Sequence, residues 1–157
     1  MTLWHYSKNA STKQMNLCNI KKTFAEYKIK GWDRIFVLVD AHGTIIPSGQ
    51  HDDYSFISED AKEILQWFSK RPEVRIILWT SSYPSEAESL TKWLLSHGIQ
   101  VWYINENPEA KNTERAYFAK KLYYNIVVDD RSGFEPATDW AAIKQELISI
   151  GEWKNKQ

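Results

Sequence analysis

Cysteine is almost missing from this sequence: among 157 residues, Cys18 is the single thiol. One thiol cannot close an intramolecular disulfide, and it cannot supply a thiolate zinc site. Net charge is missing as well. Twenty Lys and Arg balance twenty Asp and Glu, which excludes a basic coat over the whole surface but not a local patch. No apolar run approaches the roughly 20 residues that span a bilayer. Residues 1–6 show no apolar stretch of the signal-peptide kind. The expectation is a soluble, cytoplasmic protein without membrane contact. What is present is core material: 43% hydrophobic residues, with eight Trp and eight Tyr, suffice for one packed domain.

Charge is unevenly placed. Residues 1–30 hold six lysines (Lys8, Lys13, Lys21, Lys22, Lys28, Lys30) against one acid, Glu26, so the rest of the chain carries the compensating −5. We read residues 1–31 as a basic arm, with a short helix over 20–27, and residues 32–157 as the domain. Such an arm is a candidate contact for nucleic acid.

From residue 34 strands and helices alternate. Residues 35–39 form a continuous β-prone apolar run, the pattern of a strand covered on both faces. Ala61, Ile64, Leu65 and Phe68 repeat at helical spacing within 60–70, and Pro72 ends that helix. Strands follow at 75–79, 99–104 and 125–128. Further helices are expected at 84–96, opened by Pro84 and stopped by Gly98, and at 107–122, capped by Asn107. Thr138 is the expected cap of a last helix with Trp140, Ile143, Leu147 and Ile150 on one stripe. Trp67, Trp79 and Trp140 fall on stripes expected to be buried. Strand–helix alternation with short connections specifies an α/β fold with a parallel sheet. Such sheets place ligands beyond the carboxyl ends of their strands.

Those ends carry chemistry. Asp40-Ala41-His42-Gly43-Thr44 follows the first strand, Thr80-Ser81-Ser82 the second and Asp129-Asp130-Arg131 the fourth; Lys111 stands in the first turn of the expected third helix. Crowded carboxylates call for a cation, and hard oxygen donors suit Mg²⁺. A lysine and a strand-end hydroxyl can hold phosphoryl oxygens. The set suits phosphoryl transfer through a carboxylate nucleophile.

These motifs, in this order, resemble the haloacid dehalogenase superfamily over roughly residues 34–150. The Val-Asp-Asp-Arg run is similar to that of the phosphatase domain of polynucleotide kinase/3′-phosphatases and of the small carboxyl-terminal-domain phosphatases. The resemblance implies a three-layer Rossmann-like fold with strand order 3-2-1-4 and no large cap. It implies a Mg²⁺-dependent phosphatase acting on an accessible phosphorylated substrate, such as a nucleotide or a nucleic-acid end. Asp40 would be the nucleophile and a metal ligand, the carbonyl of His42 and the carboxylate of Asp130 further ligands, and Asp129 a supporting partner of Asp130. Thr80 and Lys111 would act on the transferring phosphoryl group. Ser81 and Arg131 join Thr80 and Lys111 as substrate contacts.

His42 departs from the pattern, because the family's phosphatases carry an aspartate there as general acid/base. An imidazole can give or take a proton near neutral pH and could replace it. The alternative is a member that binds a phosphorylated partner without turnover. The superfamily's dehalogenases have a similar first motif but carry a helical cap. The 45–59 segment is short enough only for a flap, with a hairpin expected about Ser48-Gly49.

Overall fold

The computed structural model describes residues 17–154. The apolar runs form a four-stranded parallel sheet: β1 (Ile35–Asp40), β2 (Val74–Trp79), β3 (Val101–Ile104) and β4 (Ile126–Val128), in the order β3-β2-β1-β4. Register sets the functional edge. Asp40 lies opposite Trp79, and Val39 opposite Val128, so Asp129 leaves the sheet level with Asp40.

Among the described residues four α-helices accompany the sheet: α1 (Ile20–Lys30), α2 (Glu59–Lys70), α3 (Pro84–Ser96) and α4 (Pro136–Ser149). In α2, Ser58 accepts the Ala61 N–H at 3.1 Å, closing an open donor of the first turn. The stripe Ala61, Ile64, Leu65 and Phe68 is fully buried, worth about 1.5–3 kcal/mol for each large side chain. Side chains of all four helices join one cluster with Val37, Val39, Ile76 and Leu78. The alternate positions Phe36, Leu38 and Ile77 form a second cluster, joined by Tyr103 of β3 and Val127 of β4 and covered by Leu122 and Tyr123. The sheet is thus covered on both sides, as a continuous apolar β1 requires. No helix among the described residues is long and apolar enough to cross a membrane.

Five expectations are corrected. First, residues 107–122 form no helix. Asn107 Oδ1 takes the Glu109 N–H, Asn112 Oδ1 takes the Phe118 N–H at 2.7 Å, and Thr113 Oγ1 takes the Arg115 N–H. Short polar side chains have captured the donors that a helix would use. Second, α4 starts at Pro136 rather than at a Thr138 cap, and Asp139 Oδ2 reaches back to the Glu135 N–H at 2.8 Å. Third, the 45–58 segment turns at Ser48-Gly49 without hairpin strands. Fourth, Trp79 is 42% exposed, because it ends its strand at the open edge of the sheet.

The fifth concerns the arm. Residues 1–16, with Lys8 and Lys13, lie outside the described residues. The rest of it is not an appendage: Ile20 and Phe24 of α1 are buried in the main core. Lys28 pairs with Glu152, Arg71 donates to the same carboxylate at 2.8 Å, and Lys30 pairs with Glu26. Lys21 and Lys22 remain exposed.

Candidate functional site

At the carboxyl edge of the sheet a cavity of about 550 Å³ is lined by Asp40, His42, Ser48, Trp79, Thr80, Ser81, Asn105, Asp129, Asp130 and Arg131. Asp40 is the last residue of β1, and the loop after it is locked by the motif's own small residues. Ile46 O accepts the Gly43 N–H at 2.7 Å, and Gly43 holds φ +78°, a conformation that costs a side-chain-bearing residue. Space matters as much: a Cβ on Gly43 would meet Asp130 Oδ2 at 2.9 Å. The glycine lets the carboxylate of the β4 end approach the β1 loop.

Thr44 is the fully buried connector. Its hydroxyl donates to Asp40 Oδ2 at 2.9 Å and accepts the Asp130 N–H at 3.2 Å. Its carbonyl accepts Trp140 Nε1 at 2.9 Å, which ties the site to α4. One carboxylate oxygen from each of Asp40, Asp129 and Asp130 lies within 4.8 Å of the other two. Burial, assisted by the charges of Asp129 and Asp130, pushes the Asp40 carboxyl up to about 6 despite the Thr44 hydrogen bond. Asp129 also accepts the Arg131 N–H at 2.9 Å and so caps the short helical turn Asp130–Ser132. It contributes to the acidic cluster directly, not only behind Asp130.

The remaining expected residues divide. Thr80 and Ser81 line the cavity, but the Thr80 hydroxyl is engaged with Ser82, donating to its Oγ at 3.0 Å and accepting its N–H at 3.1 Å. His42 lines the cavity too; its Nε2 donates to the carbonyl of Gln50 at 2.7 Å and lies 3.3 Å from Glu86 Oε1. Arg131 is exposed and is the one Lys or Arg among the described lining residues. Lys111 is not brought to the site. Without the expected helix it lies exposed on the irregular crossover, its Nζ donating to Pro108 O at 3.1 Å.

Asn105 and Trp79 are lining residues that sequence reasoning missed. Asn105 follows β3 directly, at a strand end like the motifs that were found, and its φ of +56° suits asparagine better than most residues. Its amide brackets Thr80, accepting the Thr80 N–H at 2.8 Å and donating to Thr80 O at 2.7 Å.

No family model and no curated protein matches this chain. Among solved structures, it is similar to a conserved protein from Bacteroides thetaiotaomicron, with a TM-score of 0.56 and 24% identity over 74% of this chain and 91% of that one. That likeness shows the fold alone.

Proposed function

We propose that this protein is a Mg²⁺-dependent phosphomonoesterase that uses Asp40 as its nucleophile, on a nucleotide or a phosphorylated nucleic-acid end. The observation that carries this reading is the convergence of Asp40, Asp129 and Asp130 at the mouth of one strand-end cavity. The donor set fits the ion: three carboxylates are hard oxygen ligands whose mutual repulsion a divalent cation relieves. Asp40 and Asp130 would hold it, with the His42 carbonyl. When bound, Mg²⁺ would draw negative charge from the phosphoryl oxygens and the acidic cluster.

In this reading an Asp40 oxygen attacks phosphorus, the ester P–O bond breaks, and the leaving oxygen takes a proton from His42. Water then attacks the aspartyl-phosphate, returning its proton to His42 and releasing phosphate and the Asp40 carboxylate. Arg131 supplies the positive charge expected from Lys111, the Ser81 hydroxyl offers a hydrogen bond, and the Thr80 hydroxyl offers another once its proton turns from Ser82. The half-exposed indole of Trp79 gives a base a surface to stack on, which favours a nucleotidic substrate over a small ester. Lys21 and Lys22 remain candidates for steering a polyanion.

The test is phosphate release from a 3′- or 5′-phosphorylated oligonucleotide, a nucleoside monophosphate and an aryl phosphate, with and without Mg²⁺. Release that requires Mg²⁺ and vanishes in Asp40→Asn supports the reading; release no greater than that of Asp40→Asn in all three sinks it. Mg²⁺ at a hundred times its Kd should also stabilise the wild type by about 2.7 kcal/mol, and Asp130→Asn should reduce that gain. A second reading, a binder of phosphorylated ends without turnover, is favoured by the distance of Lys111 from the cavity and the engagement of His42 with Gln50. It requires oligonucleotide binding that depends on the 5′- or 3′-phosphate, without product.

A further inference from the structure

A second group of metal-ligating atoms lies beside the acidic cluster and differs from it in kind. His42 comes from the β1 loop, His51 from the 45–58 segment and Glu86 from the first turn of α3. Their donor atoms all lie within 4.8 Å of one another. Glu86 Oε1 is the common point, 2.9 Å from His51 Nδ1 and 3.3 Å from His42 Nε2. The two imidazole rings are 5.7 Å apart between centroids. Two of the sequence's four histidines are thereby brought onto one carboxylate oxygen.

Imidazole nitrogens are borderline donors, and two of them with one carboxylate suit zinc, cobalt or nickel better than Mg²⁺. A tetrahedral zinc with bonds of about 2.0–2.2 Å holds its ligand atoms about 3.3–3.5 Å apart. The 2.9 and 3.3 Å separations from Glu86 Oε1 come close to that without backbone movement. His51 is exposed and His42 and Glu86 are half-buried, so an ion can enter from solvent. Gln50 O, 2.7 Å from His42 Nε2, stands beside the three donors, where it or water would complete the shell of a bound ion.

We infer that His42, His51 and Glu86 form a second metal site, selective for zinc-type ions over Mg²⁺, which clasps the 45–58 segment to α3 at the rim of the cavity. One ion takes the place of the hydrogen that His51 Nδ1 shares with Glu86 and of the one that His42 Nε2 gives to Gln50, so binding releases protons from any ring nitrogen that carries one. The site does not depend on the phosphatase reading. If that reading holds, zinc also inhibits, because a metal-bound His42 Nε2 has no proton to give.

The experiment is titration of the wild-type protein with Zn²⁺ by calorimetry, and with Co²⁺ by visible absorption, in millimolar Mg²⁺ to keep the acidic cluster supplied. One equivalent should bind, and Zn²⁺ should raise Tm. His51→Ala and Glu86→Gln should each weaken binding at least tenfold and cancel the Tm shift, while Asp130→Asn should leave both as in wild type. His51 is exposed, so His51→Ala should keep the fold, and circular dichroism checks it. Absence of a saturable equivalent, equal affinity in His51→Ala and Glu86→Gln, or loss confined to Asp130→Asn would each overturn the site.

Discussion

The two faces of the sheet are built by different means. On one, Val37, Val39, Ile76 and Leu78 meet regular helices whose stripes are fully buried. On the other, Phe36, Leu38 and Ile77 meet an irregular crossover that contributes half-buried aromatics, with Tyr123 edge-on to Phe36 at 5.9 Å and Phe118 against Tyr123 at 5.2 Å. The candidate site inherits this asymmetry. Its acids hang from the helical side through Thr44 and Trp140. Its expected lysine lies on the irregular side and is elsewhere. Burial on regular elements positions side chains; local polar capture of a loop does not.

The largest test breaks the helical side. Trp140→Ala removes a fully buried indole and orphans Thr44 O, so chemical denaturation should show a loss of about 3–5 kcal/mol. Tyr123→Ala on the other face should cost about 1–2 kcal/mol, since its ring is half-buried. Equal costs would erase the contrast.

A smaller effect of opposite sign concerns the acids that the helical side holds together. The folded state raises the Asp40 carboxyl to about 6, so ionised Asp40 opposes folding. That cost is absent at low pH and grows as pH climbs from the ordinary carboxylate range through 6. Asp40→Asn should therefore stabilise the metal-free protein by about 1–3 kcal/mol at pH 7.5, and the gain should shrink toward pH 4. A variant less stable than wild type at pH 7.5 would refute this.

The smallest test concerns the seam of α1. Burial alone would raise Glu152, but Lys28 and Arg71 outweigh it and hold the carboxyl below its ordinary value. A depressed acid stabilises the fold above its unfolded pKa, and that contribution is lost as pH falls through the folded value. The Tm difference between wild type and Glu152→Gln should thus be largest near neutrality and narrow steadily in acid. A difference independent of pH would mean that the pair contributes packing alone.

Legibility followed the same division. The β1 run, the α2 stripe and Pro84 announce regular elements, because period and punctuation are local properties. Asp40, Thr80 and Asp130 were legible through them, being residues at ends of strands. Residues 107–122 have helix-forming composition but no apolar stripe to anchor a helix, and so their polar side chains decided. Proximity between His51 and Glu86, 35 residues apart, has no local signature. The exposure of Trp79 depended on where the sheet's edge falls, which the residues of β2 alone do not state.

Asn105 carries a consequence for how a ligand is received. Its carboxamide pairs with both the N–H and the C=O of Thr80, as the peptide group of an adjoining strand would. Asn105 N–H itself reaches Leu78 O at 2.9 Å. The ladder between the β2 and β3 tips is prolonged by one rung made partly of side chain, and the Thr80 main chain is spoken for. An incoming anion therefore finds side chains on offer at that wall, not the Thr80 amide, and selectivity there is open to change by single substitutions without refolding the backbone.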